Sequence, residues 1–198
     1  MKKFKLVILG LSLTSSLALA EDFQLGYVNM DRIFAEAKPA LVIQKALKDK
    51  YAPQQTQLQT LNTNISNEQK QMQDIASKAD SFDKLTKADQ TKLKNLQTQL
   101  QKNQTSFQQQ YVGFQQNLQN SQELALSMLM NKTNVILKDL SDKNGYDFVV
   151  TSTQMVYAKA KYDITDQVMA QLNNVDVSDI IKDINNPAAA LSKAANSK

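Results

Sequence analysis

Residues 47–82 read LKDKYAPQQTQLQTLNTNISNEQKQMQDIASKADSF, and their apolar positions return every seven residues. Tyr51, Leu58, Ile65, Met72 and Ala79 fall on one register, while Leu47, Leu61, Ile75 and Phe82 fall on a second. Two apolar lines at this spacing form a narrow stripe on one side of a helix, the seam of a coiled coil. Gln54 and Glu68 occupy the second register with polar side chains, which weakens packing and helps to fix how a partner helix aligns.

The partner helix comes from the same chain. Between Ser77 and Asp89 the sequence collects Ser, Asp, Lys and Thr, with Phe82 and Leu85 the larger apolar residues. That is the composition of a chain reversal, with its tip at Asp80–Lys87. Beyond it the repeat resumes at Leu93, Leu100, Phe107 and Phe114, joined by Leu96, Tyr111 and Leu118. It then drifts toward Ala125, Leu129, Ile136 and Leu140, as in a stutter that relaxes the supercoil. Lys38-Pro39 suits the start of the first helix, and Asn144-Gly145 supplies a left-handed cap for the end of the second. Helices over Ala40–Ser81 and Lys87–Lys143 would be roughly 60 and 85 Å long at 1.5 Å per residue. A globular domain of this size has no room for them, so residues 40–143 are expected to project as an antiparallel hairpin arm. Pro53 predicts a kink or break near Ala52, at about 3 kcal/mol in a helix interior, and Gly113 costs about 1 kcal/mol relative to alanine. These two are the hinge candidates.

The flanks supply a head, from residues 21–39 and 144–173. Leu25 to Met30 is short, apolar and β-prone, followed by Asp31 as the N-cap of a brief helix through Phe34. Tyr146–Thr151 and Met155–Ala158 read as two strands around Ser152-Thr153-Gln154, and Thr165–Leu172 as an amphipathic helix capped by Asp163 or Thr165. Val175–Ile184 carries no assignable element; residues 174–198 are taken as a C-terminal extension, partly disordered from Asn186 onward. The fold class is therefore α+β, mostly α. A head of about fifty residues is marginal alone, and three short strands would leave unpaired edges. Association of copies answers both, with Tyr27, Val28, Phe148, Val149, Val150 and Val156 as the candidate oligomer interface.

Composition narrows the function. Lys2, Lys3 and Lys5 precede an apolar run from Leu6 to Leu19 that closes on Ala18-Leu19-Ala20, the form of a signal peptide over residues 1–20. Those three lysines belong to the 23 basic residues of the chain; without them 20 stand against 19 acidic ones, a net charge near +1. Arg32 is the only arginine, which argues with the near-neutral charge against nucleic acid. The chain has no cysteine and no histidine, so disulfides, the usual zinc sites and the Ser-His and Cys-His nucleophile systems are excluded. No glycine loop cradles a phosphate, and Asp139 with Asp142, like Asp163 with Asp166, reads as a solvated helix end. No enzyme, metal or cofactor is expected. At the tip, Phe82 and Leu85 have little partner surface to bury them and are candidates for contact with a binding partner. Lys78, Lys84, Lys87, Lys92 and Lys94 surround them.

The order of signal, strand, helical hairpin, strands and short helix resembles the OmpH/Skp family of periplasmic chaperones. Leu25-Gly-Tyr-Val-Asn-Met-Asp-Arg-Ile-Phe34 is similar to the family's opening, Gly145-Tyr-Asp-Phe-Val-Val150 to its return to the head, and Tyr162-Asp-Ile-Thr165 to its closing signature. The resemblance implies a periplasmic homotrimer whose hairpins surround a cavity. There unfolded outer-membrane proteins are held without ATP, with the tip lysines as candidate contacts for acidic clients or for lipid head groups at a membrane surface. The chain departs from the family's strongly basic arms, since between Asn103 and Asn131 Glu123 is the one charged residue. A structural or adaptor coiled coil of the cell envelope is the alternative.

Overall fold

The computed structural model describes residues 23–186. The signal peptide read over residues 1–20 and the tail from residue 187 lie outside them. Strand β1 (Leu25–Val28) leads through Asn29 into helix α1 (Met30–Glu36). Asn29, not Asp31, is the N-cap: its side chain accepts a hydrogen bond from Arg32 N at 2.9 Å, and Asp31 sits inside the first turn. An amide side chain one residue earlier captures the orphan donor first, and the Asp31 carboxylate is left to favour the positive end of the helix dipole.

Helix α2 spans Lys38–Ala76 and α3 spans Lys87–Asn144. They are 39 and 58 residues long, hence about 58 and 87 Å. Pro39 occupies the first turn of α2 as expected, where its missing N–H is not needed. The helix ends at Ala76, five residues before the expected Ser81: Ser77 N makes the last i→i−4 bond, to Gln73 O, the next amide, Lys78 N, turns to Ile75 O, and Ser77 Oγ donates to Asp74 O. Pro53 does not break α2, which runs on through it. Thr56 and Thr60 hydroxyls donate to the carbonyls of Ala52 and Thr56 just beyond, local bonds that tolerate a bent ladder. Gly145, at φ 71°, is the left-handed cap of α3.

Strand β2 (Phe148–Thr151) pairs with β1 in parallel, Leu25 opposite Phe148 through Val28 opposite Thr151. Parallel neighbours need a long crossover, and here the crossover contains the whole hairpin. The expected third strand is absent: Ser152–Gln154 forms a 3₁₀ turn, and Met155–Ala158 is irregular, with Val156 and Tyr157 almost wholly exposed. Its β-prone composition finds no neighbouring strand within one chain. The far side of β1 is occupied instead by Asp163, bridged to Tyr27, and Ile164 N donates to Tyr27 O at 3.0 Å. Helix α4 (Thr165–Leu172) follows, its entry fixed by Asp163 Oδ1, which accepts from Thr165 N at 2.9 Å.

The stretch without an assigned element holds helix α5 (Ser178–Asn185). Asp176 opens it by accepting from Ser178 N and Ser178 Oγ at 2.9 and 2.7 Å. Ile180 and Ile184, four apart on one face, are fully buried against α2 and α3. Burial of each isoleucine stabilises by about 1.5–3 kcal/mol. They join one core with Val28, Ile33, Ile43, Leu129, Leu140 and Val168, so the head packs around the lower ends of both long helices. A second, separate core lies at the far end: Ile75, Leu85, Leu93 and Leu96. Between them, from Gln97 to Asn120, no residue of α3 is fully buried.

Candidate client-binding surface

At the tip, Phe82–Lys84 makes one 3₁₀ turn and Leu85 N closes it onto Phe82 O. That turn folds Leu85 inward, to 8% exposure, so it is part of the tip core. The expectation of an exposed Leu85 is corrected, whereas Phe82 stays 42% exposed. Gln90 Nε2 donates to the carbonyls of both residues at 3.1 Å. Thr86 caps α3 by accepting from Asp89 N at 3.1 Å, and Asp89 in turn accepts from Lys78 Nζ at 2.9 Å. The hydrogen bonds from Lys78 and then Thr86 hold the Asp89 carboxyl below its ordinary range. Beside Phe82 an open recess of about 480 Å³ is floored by Met72, Ala76, Ala79 and Leu93.

The tip lysines are not equivalent. Lys78 is tied to Asp89, Lys84 lies 3.5 Å from Asp80, and Lys94 Nζ stands 5.8 Å from the Phe82 ring centroid, a cation–π distance. Lys87 and Lys92 are exposed at the start of α3. Of the five, Lys94 is the one that stands over the half-exposed Phe82 ring.

The middle of the hairpin presents a different surface. Phe107 stacks on Tyr111 at 5.8 Å, and Phe114 meets Tyr51 edge-on at 5.9 Å. Tyr111 and Val112 remain 42% and 53% exposed. Glutamines line this stretch, and Lys102 is its one charged residue between Gln97 and Asn120. Nearer the tip, Glu68 is the polar seam residue that is buried, at 6% exposure; its Oε1 accepts from Asn103 Nδ2 at 2.6 Å, and Oε2 has no partner. Gln54, the other polar seam position, is exposed. Pro53 and Gly113 stand at one height, each within two residues of the Tyr51–Phe114 contact.

Among the expected interface residues, Val28 is buried inside the head and Tyr27, Val149 and Val150 are half-buried. Phe148 is 55% exposed, and Val156 fully so. The outer edge of β2 is unpaired among the described residues and borders a groove of about 340 Å³ with Met130, Leu137 and Phe148 on its walls. Among those residues no cluster of His, Cys, Asp or Glu could hold a metal, and no helix is long and apolar enough to cross a membrane.

The family model described as outer membrane protein (OmpH-like) matches residues 24–172, from the residue before β1 to the end of α4. The chain belongs to the OmpH-like family. A curated relative, chaperone protein Skp of Yersinia enterocolitica, is 25% identical over 164 residues, covering 83% of this chain and 94% of that protein. The crystal structure of a putative OmpH-like outer membrane chaperone from Caulobacter crescentus superposes with a TM-score of 0.59 at 18% identity, over 76% of this chain and 84% of its own. At that identity the likeness shows the OmpH-like fold alone. The family match ends before α5, and α5 is also the element that the sequence reading missed. Its signal was present: Asp176 two residues before Ser178, then Ile180 and Ile184 at helical spacing. Three isoleucines over eight residues, Ile180, Ile181 and Ile184, are too short a pattern to separate a packed helix from a polar tail.

Proposed function

We propose that this OmpH-like protein is an ATP-independent holding chaperone of the periplasm, which keeps unfolded outer-membrane β-barrel proteins apart between its hairpin helices. One observation carries the reading beyond family membership. The long helices extend away from the head and, between Gln97 and Asn120, leave a stretch of partly exposed aromatics and glutamines in which Lys102 is the one charge. Such a surface makes many weak contacts with an apolar, extended chain and no strong one, so a client is sheltered yet free to leave when folding into a membrane stabilises it more. Release then needs no nucleotide.

Several copies are needed to surround a client, and we assign three, as the family resemblance implies. The unpaired β2 edge, the exposed Phe148 and the wholly exposed Val156 and Tyr157 support association through the heads. Phe82 and the tip lysines guard the open end, where they meet acidic segments of a client or lipid head groups.

The test is mass by light scattering, with the mature protein alone and after dilution of a urea-denatured outer-membrane barrel protein into it without nucleotide. The expected result is a trimer that becomes a soluble complex with one client. Client aggregation at the same rate with and without the protein overturns the reading in favour of a structural or adaptor role.

A further inference from the structure

We propose that α5 is a strap that fastens both helices of the hairpin to the head and confines bending of the arm to the level just beyond it, at Pro53 and Gly113. The inference concerns the mechanics of the arm and stands whether or not the arm holds clients. It begins with position. Helix α5 lies outside the family match, yet it is built into the main core and not laid on the surface. Ile180 and Ile184 are both 0% exposed and Val177 is 6% exposed.

Its two ends are tied to different helices. Near the start of α5, Asp179 pairs with Lys132 of α3 at 3.0 Å. At its end, Lys50 of α2 donates to the carbonyl of Ile184 and stands 3.4 Å from Ser121 Oγ of α3. A helix C-terminus leaves its last carbonyls without intrahelical donors, and a cation there also meets the negative end of the dipole. Lys50 therefore caps α5 from another element, so α2 cannot move away from α5 without uncovering that end. The same place is knotted further by Tyr51, whose hydroxyl lies 2.7 Å from Ser121 Oγ and donates to Asn117 O at 2.6 Å.

Immediately past this knot both long helices are weak. Pro53 removes a backbone donor from α2 three residues after Lys50, and Gly113 in α3 has open space where a Cβ would stand. The strap stops where the weakness starts. Below it α2, α3 and the head form one packed unit; above it two helices meet along a thin seam, with Leu58 and Glu68 buried, that runs to the separate tip core.

The chain contains no cysteine, so introduced labels are unique. Spin labels at Gln167→Cys and Lys48→Cys report head against base, and labels at Lys48→Cys and Lys70→Cys report α2 across Pro53, with labelled full-length chains diluted into unlabelled ones. In the otherwise unchanged protein the 167–48 distance distribution is expected to be narrow and the 48–70 distribution at least twice as broad. Ile180→Asn with Ile184→Asn should broaden the 167–48 distribution at least twofold and leave the 48–70 distribution unchanged. Lys50→Gln, which keeps the core, should broaden 167–48 by a smaller factor, and it decides the matter if the double variant loses helical circular dichroism. An unchanged 167–48 width, equal broadening of both pairs, or a 48–70 distribution no wider than 167–48 before any strap substitution overturns the proposal.

Discussion

Glu68 is the residue whose surroundings fit it least. It occupies a seam position, and one carboxylate oxygen is held by Asn103 while the other has no partner. Replacing both residues, Glu68→Leu with Asn103→Leu, is expected to raise stability to urea by about 1–4 kcal/mol, because a well-packed apolar pair avoids the desolvation cost. Asn103→Leu alone should lower it by about 1–3 kcal/mol, since the carboxylate then loses its donor. The sequence reading placed Glu68 on the seam by spacing but could not name Asn103, which lies 35 residues away and depends on the register of the pairing. Asp89 carries a pH dependence of known sign. Its folded-state pKa is depressed, so its contribution is complete above pH about 4, the ordinary aspartate value, and is lost as the pH falls lower. Amide exchange at Asp89 and Gln90 is expected to rise selectively on acidification below that point, and Asp89→Asn should remove the selectivity.

Elements with long periodic stretches were legible, and short ones depended on what packed against them. Seven apolar heptad positions from Leu47 to Ile75 sufficed for α2, although the pattern's last two, Ala79 and Phe82, lie past its end, and Pro39 and Gly145 marked the outer ends of the hairpin helices. Met155–Ala158 has strand composition without a neighbour in its own chain, and Val156 and Tyr157 are exposed. Leu85 was misplaced for the converse reason: a single 3₁₀ turn, invisible to periodicity, returns it to the tip core. The tip should accordingly behave as a small cooperative unit. Leu93→Ala is expected to cost about 2–4 kcal/mol locally, with hydrogen exchange rising in residues 75–96 and staying unchanged in the head.

For the whole molecule, the distribution of charge along the hairpin limits what it can attract. The hairpin's middle is nearly uncharged, and its lysines lie toward the head end and toward the tip, where Lys94 stands over Phe82. The proposed electrostatic capture at the tip rests on Lys78, Lys84, Lys87, Lys92 and Lys94. Changing all five to glutamine should weaken client binding at low ionic strength by about tenfold and abolish most of its dependence on salt, measured between 20 and 300 mM. Binding that keeps the same affinity and salt slope would remove the tip lysines from the mechanism and leave the uncharged middle to account for all of it.

The distance between Pro53 and the end of α2 has a mechanical consequence. Ala76 lies 23 residues farther along the helix, about 35 Å at 1.5 Å per residue. That makes the outer arm a lever: a rotation of about 20° at its fulcrum sweeps the far end through some 12 Å, on the order of one helix diameter. In the trimer proposed above, the same change of angle in each copy would widen the space between the arms by about twice that distance, enough to admit bodies of unlike girth without rebuilding either core.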